Sequence, residues 1–300
     1  MSTDAKDVGI VDGHHHIWRQ ADLPWLQGPM VPRIFGPYEP IRRDYPIEEY
    51  LSDISDSGVE ASVYVQTNWA KDRAVDEVEW VQATADAHGW PNAIVGYVDL
   101  LADDTEAVLE RQSRSALIRG VRMQLHWHDN PMYRFAAGPD VAADPRLRRN
   151  LRALAVYGFS LDLQVFSGQM KGAAALARIN RDITFVLQHA GMLEDTSDAG
   201  VLAWREGMKR LADEPNVVTK LSGLGTFIHR NDPAHIAFIA GETVDLFGPD
   251  RCLFGSNFPI EKLWTSYGDL VDAYRTALSG LPEVAQRLIF GDTARRVYRM

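Results

Sequence analysis

Two histidines set one residue apart, His14 and His16 in Val11-Asp12-Gly13-His14-His15-His16, are the first side chains along the chain whose spacing suggests chemistry. In an extended run successive side chains alternate, so His14 and His16 point to one side and His15 to the other. A same-side imidazole pair can hold a divalent metal or orient a substrate oxygen. The plainer alternatives are core histidines bonded to backbone, or a tag remnant, but Asp12-Gly13 before and Ile17-Trp18 after read as continuous strand and loop. Other polar residues recur at the ends of short apolar runs: Gln66, Arg122 with Gln124, Gln164, His189, Lys220 with Ser222, and Asn257. Each alone could be a solvated strand end; their joint occurrence points to a site. The planar fork of Arg122 suits a carboxylate or a carbonyl. His189, in Leu187-Gln188-His189-Ala190-Gly191, is the best third imidazole for a metal site with His14 and His16. His126 and His128 flank Trp127 beyond the fourth run; they read as mouth-lining substrate contacts, with Trp127 a flat apolar wall, or as a second site.

The elements that must position these residues alternate strictly. Strand-like runs cover 9–15, 61–67, 93–99, 120–125, 160–166, 183–189, 217–222 and 252–256. Several, such as Ala93-Ile94-Val95-Gly96-Tyr97-Val98, are almost continuously apolar, the mark of a parallel strand covered on both faces. Helical patterns cover 47–57, 74–88, 105–115, 146–157, 169–179, 201–212, 234–247 and 267–278, several stopped by glycine as in Ser57-Gly58 and His88-Gly89. Eight such units predict a single-domain α/β (β/α)8 TIM barrel over 1–300. An open doubly wound sheet is the competing reading, but no Gly-x-Gly-x-x-Gly opens any helix. Long loops at 17–46 and 126–145 follow strands and so belong to the C-terminal face, where barrels build their sites. Trp25, Phe35 and Tyr38 in the first of these read either as a lid over the mouth or as a subunit contact.

Composition narrows the partners. The 300 residues carry 31 Lys plus Arg against 41 Asp plus Glu, a net charge of −10, and 46% are hydrophobic. That balance excludes a disordered chain and argues against nucleic acid, whose phosphates need a dense basic face. No apolar stretch is long enough to span a membrane, and the first nine residues lack the apolar core of a secretory signal. One cysteine, Cys252, cannot form an internal disulfide, which suits a reducing compartment. The expected setting is cytoplasmic, with a small-molecule substrate; monomer and homo-oligomer are both compatible.

Taken together, Val11-Asp12-Gly13-His14-His15-His16-Ile17-Trp18, Gly120-Val121-Arg122, His189-Ala190-Gly191, Leu253-Phe254-Gly255-Ser256-Asn257-Phe258-Pro259 and the tail Phe290-Gly291-Asp292-Thr293-Ala294-Arg295 resemble the amidohydrolase superfamily. The likeness is to the amidohydrolase-2 group that includes sugar-lactone and pyrone-dicarboxylate lactonases, and it spans almost the whole chain. It implies a hydrolase in which His14, His16 and His189 hold one divalent metal, zinc first among candidates, or position a carbonyl. The family's eighth-strand Asp, which activates water, is replaced by Asn257, and Gln164 occupies the strand end where binuclear members carry a lysine. Asn257 cannot take a proton at neutral pH, though its amide can orient water or donate to an oxyanion. Metal-independent activity therefore stays open. Glu261, four residues on, can return a carboxylate to the mouth or be a charge paired with Lys262; His189 is the other candidate base.

These residues predict opening of a small, oxygen-rich, anionic lactone by directed water. Arg122, Gln66, Gln164, His126, Trp127 and His128 are the expected substrate contacts, and His14, His16, His189, Asn257 and Glu261 the catalytic set. A decarboxylase or hydratase on the same barrel, and a non-catalytic binding homologue that lost its base at Asn257, are the alternatives.

Overall fold

The computed structural model describes residues 9–300; the N-terminal segment read above as unlike a secretory signal lies largely outside them. Eight parallel strands pair in chain order: β1 (Ile10–His15), β2 (Val59–Val65), β3 (Ala93–Gly96), β4 (Ile118–Gln124), β5 (Ser160–Gln164), β6 (Phe185–Leu187), β7 (Val217–Leu221) and β8 (Cys252–Phe254). The chain beyond β8 returns to β1 through a His15–Phe258 bridge, with Asn257 N donating to His14 O at 2.7 Å and His16 N to Phe258 O at 2.8 Å. The result is the expected (β/α)8 barrel. Its helices include Ala74–His88, Pro145–Tyr157, Asp198–Ala212 and Pro233–Phe247. Three of these begin earlier than the apolar pattern suggests: Asp144 and Asp232 each cap a first turn with a proline at the first helical position, and Ser197 caps the third. Among the described residues no helix is long and apolar enough to cross a membrane.

Apolar packing is split by the barrel wall. One cluster lies between strands and helices; the other gathers Val11, Val63, Val95, Val186, Val218 and Leu253 from six strands with Ala294, Val297 and Tyr298. The second cluster fills the lower barrel, and the helix Thr293–Tyr298 plugs its floor. Above it sits an ion pair with both partners fully buried: Lys220 Nζ lies 2.7 Å from Asp162 Oδ2, which also accepts from Gln188 Nε2 at 3.0 Å. Lys220, read from sequence as a strand-end residue, is thus locked into the interior rather than facing the mouth.

The strands stop one to three residues short of most predicted ends. The chain turns there through left-handed residues, with Asn68 after β2 (φ 62°), His189 and Ala190 after β6 (φ 54° and 47°) and Asn257 after β8 (φ 57°). Asn tolerates this region, but His and Ala held there cost about 1–3 kcal/mol each, which the surrounding packing must offset. These turns lift the chemistry-bearing side chains out of the ladder and aim them across the mouth.

Candidate active site

A cavity opens at the C-terminal end of the barrel. Its wall takes His16, Arg122, Gln124, Gln164, His189 and Asn257 from the ends of β1, β4, β5, β6 and β8, and Thr226 from the segment after β7. Trp25, Ile34 and Phe35 of the first long loop form an apolar roof. Among the described residues no carboxylate lines it.

The first-strand histidines reach this place through a local irregularity. Pairing of β1 with β2 slips between Asp12 and His15, so both of those side chains face the helices while His14 and His16 face inward. Gly13 permits it: a Cβ there would lie 2.5 Å from Leu253 Cδ1 and 2.7 Å from Phe254 O. Asp12 anchors the seam by accepting from His14 N (3.1 Å), Ser256 N (2.8 Å), Ser256 Oγ (2.6 Å) and the hydroxyls of Tyr50 and Tyr267 (3.0 Å each). A carboxylate this well supplied with donors fixes His14 against Asn257.

Three imidazoles converge. His14 Nε2 and His16 Nε2 are 3.3 Å apart, and the His14 and His189 ring centroids 4.8 Å. His16 Nδ1 sits 2.7 Å from Val65 O, so that nitrogen carries the proton and Nε2 keeps its lone pair. His14 Nε2 then donates to it, while His14 Nδ1 has no partner. His189 Nδ1 lies 3.2 Å from Ser222 O and 2.9 Å from Ser222 Oγ, which frees its Nε2. The ring rests over Gly223, where a Cβ would come within 2.6 Å of Nδ1. Burial, helped by the Lys220 and Arg122 charges, holds His14 well below the usual imidazole range. Burial and Arg122 do the same for His16 and push His189 down to about 3. All three are neutral near pH 7.

Arg122 is the site's unbalanced charge. Its Nη2 donates to Gln66 O at 2.5 Å, its Nε has no partner, and no carboxylate lies within ion-pair distance among the described residues. Burial lowers it only to about 10, so it stays cationic. A buried, unpaired guanidinium facing a cavity is an anion site.

Glu261 lies behind the wall. Its Oε2 accepts from Trp264 Nε1 at 2.8 Å, its Oε1 has no hydrogen bond, and the Asn257 and Thr226 side chains stand beside it. Burial pushes this carboxyl up to about 8, so it is protonated at neutral pH. Its presumed pairing partner Lys262 instead binds Glu49 and Asp53 on the outer surface.

Other sequence candidates lie elsewhere. Gln66 is outside the cavity: its Oε1 accepts from Asn68 N at 2.6 Å, and its role is to hold Asn68 and the Arg122 fork. His126 lines an adjoining outer chamber. Trp127 stacks under the Arg134 guanidinium at 4.9 Å, and His128 packs its ring on Tyr133 and Phe166 with Nε2 3.6 Å from Glu194; neither lines the cavity or the outer chamber. Thr67, Asn68 and Thr226 join the wall without any signal in the sequence, since each lies in a connection whose path only the fold sets.

The family model described as Amidohydrolase matches residues 11–300. The chain belongs to the amidohydrolase family. It is 30% identical to an L-fucono-1,5-lactonase of Burkholderia multivorans, over 97% of this chain and 96% of that protein. A protein of Sinorhizobium fredii named y4mH is 33% identical over 98% of this chain and 100% of its own. Among solved structures, a Burkholderia multivorans amidohydrolase with bound zinc superposes with a TM-score of 0.80 at 28% identity, covering 97% of this chain and 99% of that one. This amidohydrolase is a hydrolase on the same barrel.

Its donor set can be tested against a zinc ion. Two nitrogens 3.3 Å apart match the edge of a tetrahedron with bonds of about 2.0–2.1 Å. Yet among the described residues no group of three or more His, Cys, Asp or Glu side chains has metal-holding geometry, and an amide stands at Asn257. His14 and His16 offer one edge of such a site with the His189 ring beside them, and the zinc-bound relative and the family suggest a divalent metal, without a closed ligand set among these residues.

Proposed function

We propose that this amidohydrolase opens a small lactone bearing a carboxylate or similarly anionic substituent, through water directed by its own side chains. The observation that carries this reading is Arg122: buried, cationic, unpaired and facing a cavity with no acidic residue. The lactonase-named relative supports the reaction class.

In this reading Arg122 grips the anionic group and fixes the ring against the three imidazoles. His189 Nε2, its tautomer set by Ser222, accepts a proton from water as the oxygen adds to the lactone carbonyl. An anion over Arg122 offsets one of the charges that depress His189 and makes it a better base. The Asn257 amide, with the protonated Glu261 carboxyl behind it, donates to the oxyanion. Cleavage of the ring C–O bond then takes the proton back from His189, giving a hydroxy acid that ionises in solution. A lactone needs only carbonyl polarisation and a placed water, which this set provides. Amide hydrolysis would also require protonating a poorer leaving group.

The test is a panel of sugar-acid and dicarboxylate lactones assayed by proton release, with and without chelator. Turnover that survives chelation supports the reading. Release of carbon dioxide instead of a proton, or binding of these lactones without turnover, would replace it with the decarboxylase or the non-catalytic alternative.

A further inference from the structure

The catalytic cavity does not end at its roof. A second chamber adjoins it, sharing Trp25, Ile34, Phe35, Asn68 and Gln124 with the first. The two long loops of the C-terminal face build it together, one supplying Arg33 and the other Arg134 and Phe135. Among the described residues no carboxylate lines it either.

The two arginines differ in what holds them. Arg134 is committed to its own loop: Nε donates to His128 O and Nη2 to Asp129 O, both at 2.6 Å, over the Trp127 ring. Arg33 has no such commitment. Its guanidinium lies over the rings of Trp25 and Tyr38, at 5.1 and 5.8 Å, and forms no ion pair among the described residues. Its Nε is buried without any hydrogen bond. Stacking pre-orders this side chain, so little entropy remains to be lost when it grips a planar acid. Trp25, Pro32, Ile34 and Phe35 give the chamber an apolar side facing the polar Asn68, Gln124 and His126, and its rim exposes Met132 and Phe135 at 45% and 47%. His126 at its base is pushed down to about 3 by burial and stays neutral, so Arg33 and Arg134 carry its charge.

We infer that the outer chamber is a second substrate subsite, which takes an apolar arm extending from the lactone ring and ending in a carboxylate held by Arg33. The inference rests on the lactone reading for the ring in the inner cavity. It makes the preferred substrate elongated and twice anionic, with one acid on Arg122 and the other on Arg33.

Two ring-carboxylated lactones with identical alkyl arms, one ending in a carboxylate and one in a carboxamide, test it. The native enzyme is expected to prefer the acid arm about tenfold in kcat/KM, the scale of one charge-assisted bidentate contact. Arg33→Met, which keeps the stacking stem without the charge, is expected to bring that ratio to one, and Arg33→Lys to restore part of it. A folding defect or a general loss of turnover would leave the ratio unchanged, so the ratio is the readout. No preference in the native enzyme, or a preference that survives in Arg33→Met, overturns the subsite. Should neither lactone turn over, calorimetric binding of the two ring-opened hydroxy acids reads the same ratio: the lactone reading then fails, while the outer chamber stands or falls on that binding preference.

Discussion

Replacing Glu261 by glutamine separates the two roles a carboxyl behind the cavity can have. In the folded protein burial raises this group from 4.5 to about 8, while in the unfolded chain it ionises near its ordinary value. An acid whose folded pKa is raised contributes no penalty below its unfolded pKa. The penalty grows as pH climbs from 4.5, because only the unfolded chain gains by ionising, and it levels off above about 8. At about 1.36 kcal/mol per pH unit, the native protein loses about 3 kcal/mol from this group between pH 5 and 7.5. Glu261→Gln does not titrate, and its amide oxygen can accept from Trp264 as the acid does. Urea unfolding of both proteins at pH 5, 6.5 and 7.5 isolates the effect, since every other group cancels in the difference. The variant is expected to gain on the native protein by about 3 kcal/mol over that range, and to keep kcat/KM within a few-fold at pH 7. The native enzyme is expected to lose activity above about pH 8, where Glu261 ionises, and the variant to lack that limb. A stability difference independent of pH would refute the buried neutral acid. Loss of turnover in a stable Glu261→Gln protein would make Glu261 the base in place of His189.

Arg122→Met is expected to cost about 2–5 kcal/mol in kcat/KM for an anionic lactone, read from steady-state kinetics; an effect within a few-fold would remove Arg122 from substrate binding. Asn257→Asp adds a carboxylate beside two nitrogens already at a tetrahedral edge, so zinc affinity by calorimetry should rise at least about a hundredfold without a matching gain in turnover. Equal affinity in both proteins would place Asn257 away from the ion. Lys220→Met strands Asp162 in the barrel interior and should destabilise the fold by about 3–5 kcal/mol in thermal or urea unfolding. The double variant with Asp162→Leu should recover much of that loss.

How much of this was legible in the sequence depended on whether a property is local or shared between distant segments. The barrel followed from eight apolar runs alternating with helical periods, because burial on both faces leaves its mark on every residue of a strand. His14, His16, Arg122, Gln164, His189 and Asn257 were readable because a barrel fixes where the end of each strand must point. Strand ends were overestimated at Thr67, Asp99 and His189: past β3, Tyr97 and Val98 look like ladder residues, and past β2 and β6 only the left-handed backbone at Asn68 and His189 marks the stop. Gln66 was misplaced for the same reason: its side chain serves the turn that follows β2. Charge states belonged wholly to tertiary structure. Nothing near Glu261 in the chain announces an acid held neutral, and nothing near Lys220 announces Asp162, which lies 58 residues away. Loop paths were equally invisible: Trp127 and His128 have the composition of a binding wall yet line neither chamber, while Thr226 and Arg33 enter chambers for which their neighbours give no signal. Periodic burial repeats along the chain and can be read from it, whereas a desolvated charge or a loop's course is set by atoms from segments far apart in sequence, and those meet only once the barrel has closed.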